Sequence, residues 1–344
     1  MRPGRVLAAR LDSAGDVLLC GPAVRALARR AGQVTFLCGP RGRAAAELLP
    51  GVADIVEYHA PWVDLEPPEL TNEAITALID RLRGLGIDEA VVFTSFHQSP
   101  LPLALVLRMA GVRRISAISV DYPGSLLDVR HLVDDDIPEP ERALSLAAAA
   151  GFTLDPDDDG RLRIRQALPD IRGLAGEPGY VVLHPGAAVP ARRMSAARSR
   201  SAVAALVAAG HRVLVTGAPS ERELTAEVAG TDATDLGGKT DFATLAAVMR
   251  QASVVVAPNT GPAHVAAAVG TPVVSLFAPV VPARRWAPYG VAHMLLGDQH
   301  APCASSRARI CPVPGHPCLD GITDDEIVSA VSRLTRIRGK DRTP

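Results

Sequence analysis

The sequence predicts an α/β protein of two consecutive domains, each an open, mostly parallel sheet covered by helices on both faces. Three observations predict it. The chain has 344 residues, and at roughly 150 residues per domain that length suits two domains, each with its own core. Short apolar strands alternate with helical patterns rather than with tight hairpin turns, which is how parallel sheets are built. The alternation stops in a stretch rich in Pro, Gly and charge, and then restarts.

In the first half, Val6 to Leu11 is a short apolar run, and Gly15-Asp16 leads into a helical pattern through Arg30. Val34 to Cys38 is a second strand, followed by Gly39-Pro40 and a helix around Ala44 to Leu49. A helix around Glu69 to Leu85 precedes the strand Glu89 to Thr94; Leu101 to Ala110 is helical, and Ile115 to Val120 is another strand. The run Asp155 to Gly160 (D-P-D-D-D-G) reads as a turn and Leu168 to Gly179 as a linker. Strands resume at Tyr180 to His184, Arg212 to Thr216, Val254 to Ala257 and Val273 to Phe277. Helices fit Ala196 to Ala209, Ser220 to Val228, Asp241 to Gln251 and Gly261 to Val269. A last amphipathic helix, Thr323 to Leu334, has a threonine cap and an acidic first turn. The expected domains are 1–165 and 178–336, with a frayed tail at 337–344. Open sheets of this kind bind ligands beyond the carboxyl ends of their strands, and two facing sheets would leave a cleft.

Composition narrows the function. Lys and Arg number 36 against 37 Asp and Glu, a formal charge of −1, so no basic field is available for a nucleic-acid backbone. No apolar run reaches the roughly 18 residues of a membrane span. The first residues lack a secretion h-region, so the expectation is a cytoplasmic protein with at most peripheral membrane contact. The basic residues are arginine apart from Lys239 and Lys340, a skew of genome composition rather than of chemistry.

Three segments could carry chemistry. R-L-D-S-A-G-D-V, Arg10 to Val17, lies where a strand passes into a helix. Asp16 there could cap the helix, or it could be a general base facing the ligand; spacing alone does not separate the two. V-V-L-H-P-G-A-A-V-P-A-R-R-M-S, Val181 to Ser195, runs from a buried strand through small residues to paired arginines. Small residues admit a ligand close to the backbone, and arginine suits phosphate oxygens, although a solvated basic helix start would look the same. The third, Val254 to Pro279, delivers Asn259, Thr260 and Gly261 to a helix start, with His264 one turn on. Hydroxyl and N–H groups there would form a phosphate cradle.

These segments resemble glycosyltransferase family 9, the ADP-heptose–lipopolysaccharide heptosyltransferases. The matching runs are R-L-D-S-A-G-D-V-L-L, L-H-P-G-A at 183–187, L-G-G-K-T at 236–240, and N-T-G-P-A-H with G-T-P-V-V-S-L-F at 259–277. The resemblance implies a GT-B fold, two Rossmann-like domains with a cleft between them, and metal-independent, inverting transfer of a sugar, with ADP-heptose the expected donor. It implies Asp16 as base. On the donor side it implies Gly186, Arg192 where relatives carry a lysine, Glu221 near the ribose, Thr240, and Asn259, Thr260, Gly261 and His264 at the diphosphate. Asn259 stands where Asp is usual, and Met194-Ser195 replaces a frequent Trp-Pro pair. His97 and Gln98, in S-F-H-Q-S, are expected on the acceptor side.

No cofactor is expected beyond the nucleoside-diphosphate sugar itself, and the acceptor would be a cell-surface glycan or a small secondary metabolite. The acidic runs Asp134 to Asp136 and Asp157 to Asp159 read as solvated turns rather than metal sites. Cys303, Cys311, His316 and Cys318 lack a Cys-x-x-Cys hook, so no metal is assigned to them. A nucleotide-sugar epimerase, or a non-catalytic nucleotide-sugar-binding partner of the same fold, is the alternative. A nicotinamide dehydrogenase is weaker, because A-G-D replaces a G-x-G-x-x-G fingerprint after the first strand.

Overall fold

A computed structural model describes residues 4–64, 66–134 and 136–341. The described chain forms two compact units that meet in sequence between Arg165 and Gln166. Each contains one six-stranded, all-parallel sheet.

The first unit contributes β1 (Val6–Arg10), β2 (Val34–Cys38), β3 (Val52–Glu57), β4 (Glu89–Val92), β5 (Arg114–Ile118) and β6 (Val129–His131). Their spatial order is β3-β2-β1-β4-β5-β6. The second contributes β7 (Val181–Leu183), β8 (Val213–Val215), β9 (Thr234–Asp235), β10 (Val254–Pro258), β11 (Val273–Leu276) and β12 (His293–Leu296). Read from its other edge the order is β9-β8-β7-β10-β11-β12, the same winding as the first. Both sheets are therefore doubly wound in the Rossmann sense, with the strand order reversing between β1 and β4 and between β7 and β10. Those are the switch points at which open α/β sheets bind ligands.

The central strands β1 and β10 are buried along their whole length, as a parallel sheet with both faces covered requires. The helix expected from Gly15 to Arg30 is two helices, Ala14–Leu19 and Gly21–Ala31. Pro22, second in the new helix, has no N–H to continue the first one. Glu139–Ala149, unassigned from the sequence, is also a helix. The last helix runs Asp324–Asp341, past its expected end at Leu334 and into the stretch expected to fray, and 342–344 lie outside the described residues. Part of the expected linker is a short helix, Arg172–Ala175. No helix among the described residues is long and apolar enough to cross a membrane.

Candidate active site

At the carboxyl end of β1 the chain turns a buried arginine into its own sheet. The Arg10 guanidinium donates from Nε to Asp12 at 2.5 Å, from one terminal nitrogen to Glu139 at 3.4 Å, and from the other to Asp16 at 3.0 Å and Ser95 Oγ at 2.8 Å. Four of the five donors of the planar fork are thereby engaged. Ser95, which follows β4, donates its hydroxyl to Asp12 at 3.0 Å. The cluster thus bridges the two strands that flank the first switch point. Arg142, on the helix that brings Glu139, donates to the Thr94 carbonyl at 2.5 Å and lies 4.0 Å from Glu139.

Three carboxylates thus share one guanidinium. Burial works against the charge of Arg10, yet Asp12 and Asp16 foremost hold it well above its ordinary pKa. Each carboxylate in turn has only part of a cation. Burial pushes Asp12 up against the pull of Arg10, and pushes Glu139 up against Arg10 and Arg142. Exposure separates their roles: the side chain of Asp16 is 21% exposed, that of Asp12 11% and that of Glu139 2%. Asp16 is the member a ligand can reach.

Asp16 is also a cap. Its second oxygen accepts from Ser13 N–H at 3.3 Å and from Ser13 Oγ at 2.6 Å, closing a capping box on the helix Ala14–Leu19. The cap and the Arg10 bond use different oxygens, so both fix the orientation of one carboxylate. His97 is exposed, its ring edge-on to Phe96 at 5.3 Å. Gln98 turns back on its own loop, where its carbonyl accepts from Ser95 N–H at 3.1 Å.

At the carboxyl end of β7, His184 is buried, with Nδ1 3.1 Å from Thr216 Oγ1 and Nε2 3.7 Å from Glu221. Burial outweighs the Glu221 charge and pulls this histidine down to about 4, so the ring is neutral at pH 7. The Glu221 carboxylate accepts from Ala218 N–H at 2.8 Å. It sits where a side chain at position 186 would begin: a Cβ on Gly186 would lie 2.0 Å from Glu221 Oε1. Gly186 is therefore the space that Glu221 occupies. Arg192 ends the 3₁₀ turn Pro190–Arg192, half-buried, and Met194 beside it is a core residue.

Past β10, Thr260 is the N-cap of the helix Gly261–Ala268 in extended backbone, and His264 lies buried on the first turn. No acidic side chain occupies that turn to offset the positive end of the helix dipole. Asn259, expected at the cradle, directly precedes the N-cap Thr260 and is bonded to the backbone. Its amide donates to the Ala278 carbonyl and accepts from Ala278 N–H, both at 3.3 Å. It clasps β10 to the end of β11 and is buried in doing so. Thr240 is half-buried and directly precedes Asp241, which caps the helix Phe242–Gln251.

The remaining candidates are structural. Asp158 takes a bidentate bond from Arg25 at 2.6 and 2.9 Å, which with its backbone partner holds it down to about 2. Asp134 accepts from the backbone of Asp136 at 3.0 Å, while residue 135 lies outside the described residues. Cys303 and Cys318 are buried in the second unit's core, with Cys311 packed against it. Among the described residues no group of three or more His, Cys, Asp or Glu could hold a metal ion.

Sequence reasoning missed Arg10, Ser95, Glu139 and Arg142. Arg10 and Asp12 stood inside a motif that was already singled out, but Glu139 is 129 residues from Arg10 and no spacing joins them.

Known proteins resemble this chain in sequence and in fold. Escherichia coli lipopolysaccharide heptosyltransferase 3 is 35% identical over 104 residues, 28% of this chain and 31% of that protein, so the chain spans less than a third of that relative's length in the match. The E. coli ADP-heptose lps heptosyltransferase II structure aligns over 97% of this chain and 99% of that one, at 20% identity and a TM-score of 0.75. A family 9 glycosyl transferase from Veillonella parvula aligns over 98% of both chains, at 18% identity and a TM-score of 0.79. At these identities the structural likeness is one of fold, and it confirms the two-Rossmann-domain GT-B architecture. The family model for glycosyltransferase family 9 (heptosyltransferase) matches residues 76–316, beginning after Asp16 but including the 95–99 loop and every donor-side candidate. A match over well more than half of the residues, carried on that fold, makes the chain a member of glycosyltransferase family 9.

Proposed function

We propose that the protein transfers a sugar from a nucleoside diphosphate to a hydroxyl or amine of an acceptor, with inversion at the anomeric carbon. The observation that carries this reading is the content of the two switch points. One presents a reachable carboxylate fixed on a buried arginine, and the other a helix start after β10 and, after β7, a small-residue loop that leads to Arg192. The first can take a proton and the second can hold a diphosphate. ADP-heptose is the donor to try first, since the relatives are heptosyltransferases and one is described by that donor.

In the reaction the acceptor oxygen or nitrogen attacks the anomeric carbon as its proton passes to Asp16, a general-base contribution of about 10²–10⁴-fold. The bond from that carbon to the diphosphate oxygen breaks, and the electron pair leaves with the nucleoside diphosphate. N–H groups at the start of the helix Gly261–Ala268, the Thr260 hydroxyl and Arg192 would meet the charge that grows there. His264 would face the same group, and Glu221, seated in the space left by Gly186, would meet the ribose. With these donors no metal is needed.

Incubation with ADP-heptose tests the reading. ADP release should require an acceptor, either a heptose-free lipopolysaccharide core or a small polyol or amine such as an aminoglycoside, and should survive exhaustive chelation. Heptose rearrangement without an acceptor would identify an epimerase instead. Activity that collapses on chelation and returns with magnesium would overturn the metal-free mechanism.

A further inference from the structure

We propose that Arg10 is the positioning residue of the acceptor-side carboxylate, and that Asp12 competes for its guanidinium and so sets how tightly Asp16 holds a proton. The proposal rests on the reading of Asp16 as the base. Arg10 donates to Asp12 at 2.5 Å and to Asp16 at 3.0 Å, and the pair is locked to β4 through Ser95, which bonds both Arg10 and Asp12. A carboxylate that is to accept a proton near neutrality must be kept from pairing too strongly with a cation. Here the cation is shared among Asp12, Asp16 and Glu139, and the terminal nitrogen that donates to Asp16, the most exposed of the three, also donates to Ser95 Oγ, while Asp12 takes the shorter bond from Nε.

The neighbouring charges support this division. Glu139 acts on Arg10 as well, and Arg142 offsets Glu139, while burial pushes the Cys20 thiol up to about 12 and leaves it neutral. On the elements packed against the Asp16 helix, Arg43 pairs with Glu47 and Glu57, Arg41 with Asp64 and Arg25 with Asp158. Their charges are met within those pairs. Arg10 is the cation bonded directly to Asp16, at 3.0 Å, and Asp12 is bonded to the same guanidinium.

The two partners should act in opposite directions. Asp12→Asn removes a competing negative charge, frees Arg10 for Asp16 and should lower the Asp16 titration midpoint by about one pH unit. Arg10→Lys keeps the charge, but its ammonium ends about one bond short of the nitrogen that reaches Asp16. That midpoint should rise, and turnover should fall about 10- to 100-fold through misplacement of the carboxylate. Carbon-13 titration of the aspartate carboxyls in the intact protein, with the Asp16 signal identified by its loss in Asp16→Asn, reads the midpoints without any ligand. ADP binding, measured calorimetrically, serves as the control for folding and should be unchanged in all three variants. Opposed shifts support the proposal, because a purely structural role for Arg10 gives no reason for them. Midpoints that stay put, or that move in the same direction, overturn it while leaving Asp16 as base. Full turnover by Asp16→Asn with ADP-heptose overturns both.

Discussion

Asp16 serves two ends with two oxygens. One closes the capping box with Ser13 and the other meets Arg10, so the helix end aims the same group that would take the proton. Asp16→Asn should keep the cap, since an amide oxygen can still accept from Ser13, but its NH2 cannot accept from Arg10, so Tm should fall modestly while the protein still folds. Turnover should nonetheless drop at least about 100-fold, because an amide cannot take a proton; steady-state ADP release beside a thermal melt checks both halves. Asn259 shows the converse, a residue whose place in a motif did not reveal its task. Its amide both donates to and accepts from the backbone of Ala278. Asn259→Asp, which restores the residue common in relatives, removes the donor and sets a buried carboxylate against a carbonyl. A loss of about 1–3 kcal/mol is expected, read as a lower denaturation midpoint; an unchanged midpoint would mean the clasp contributes nothing. The motif fixed which residues gather at the loop. It could not show which face backbone and which face outward, because that depends on strands that meet only in the fold.

The ends of β7 and β8 make a comparable unit at the scale of elements. Gly186 is there for space: a Cβ would lie 2.0 Å from Glu221 Oε1. Gly186→Ala should therefore displace Glu221 and weaken ADP by about tenfold, while inorganic diphosphate, which lacks the ribose, should bind as before. Equal losses for both ligands would place Glu221 away from the nucleoside. Behind Glu221, His184 is neutral because burial lowers its pKa to about 4 from 6.5. Between those values the unfolded chain binds a proton that the fold does not. Stability should therefore fall as the pH drops from about 6.5 toward 4, and be insensitive to this residue above that window. Melts at several pH values with wild type and His184→Gln would show it, the variant losing part of the acid sensitivity. The same scale explains what the sequence hid. The strands it predicts, β1, β2, β4, β5, β7, β8, β10 and β11, are all interior. The four it misses, β3, β6, β9 and β12, are the sheet edges. Edge strands here are short or half-exposed, Thr234–Asp235 being two residues long and Val52–Glu57 buried only at Val52 and Val56. They carry no continuous apolar run to read.

Across the whole molecule the two halves repeat one winding with different chemistry at the same place. Each has its own buried cluster, one around Leu7, Leu37 and Ile115 and the other around Val181, Val256 and Ile327. The restart of strand–helix alternation after residue 179 made that duplication legible, because hydrophobic periodicity is local. Glu139 escaped for the opposite reason, since a charge on a helix gains meaning only from the arginine it faces. Independent cores lead to a last expectation. Residues 4–165 and 166–341, expressed separately, should each fold cooperatively, because every strand finds its ladder partners within its own unit. The second piece should bind ADP with an affinity close to that of the intact chain, since Gly186, Arg192, Glu221, Thr260 and His264 all belong to it. The first should bind no ADP, and neither alone should release ADP from ADP-heptose in the presence of acceptor, since the proposed base and the proposed diphosphate cradle belong to different pieces. Calorimetric titration of each fragment, with the intact chain beside it, decides the point. ADP binding by 4–165, or full-strength turnover by 166–341, would mean that the acid–base and donor functions are not divided between the two sheets.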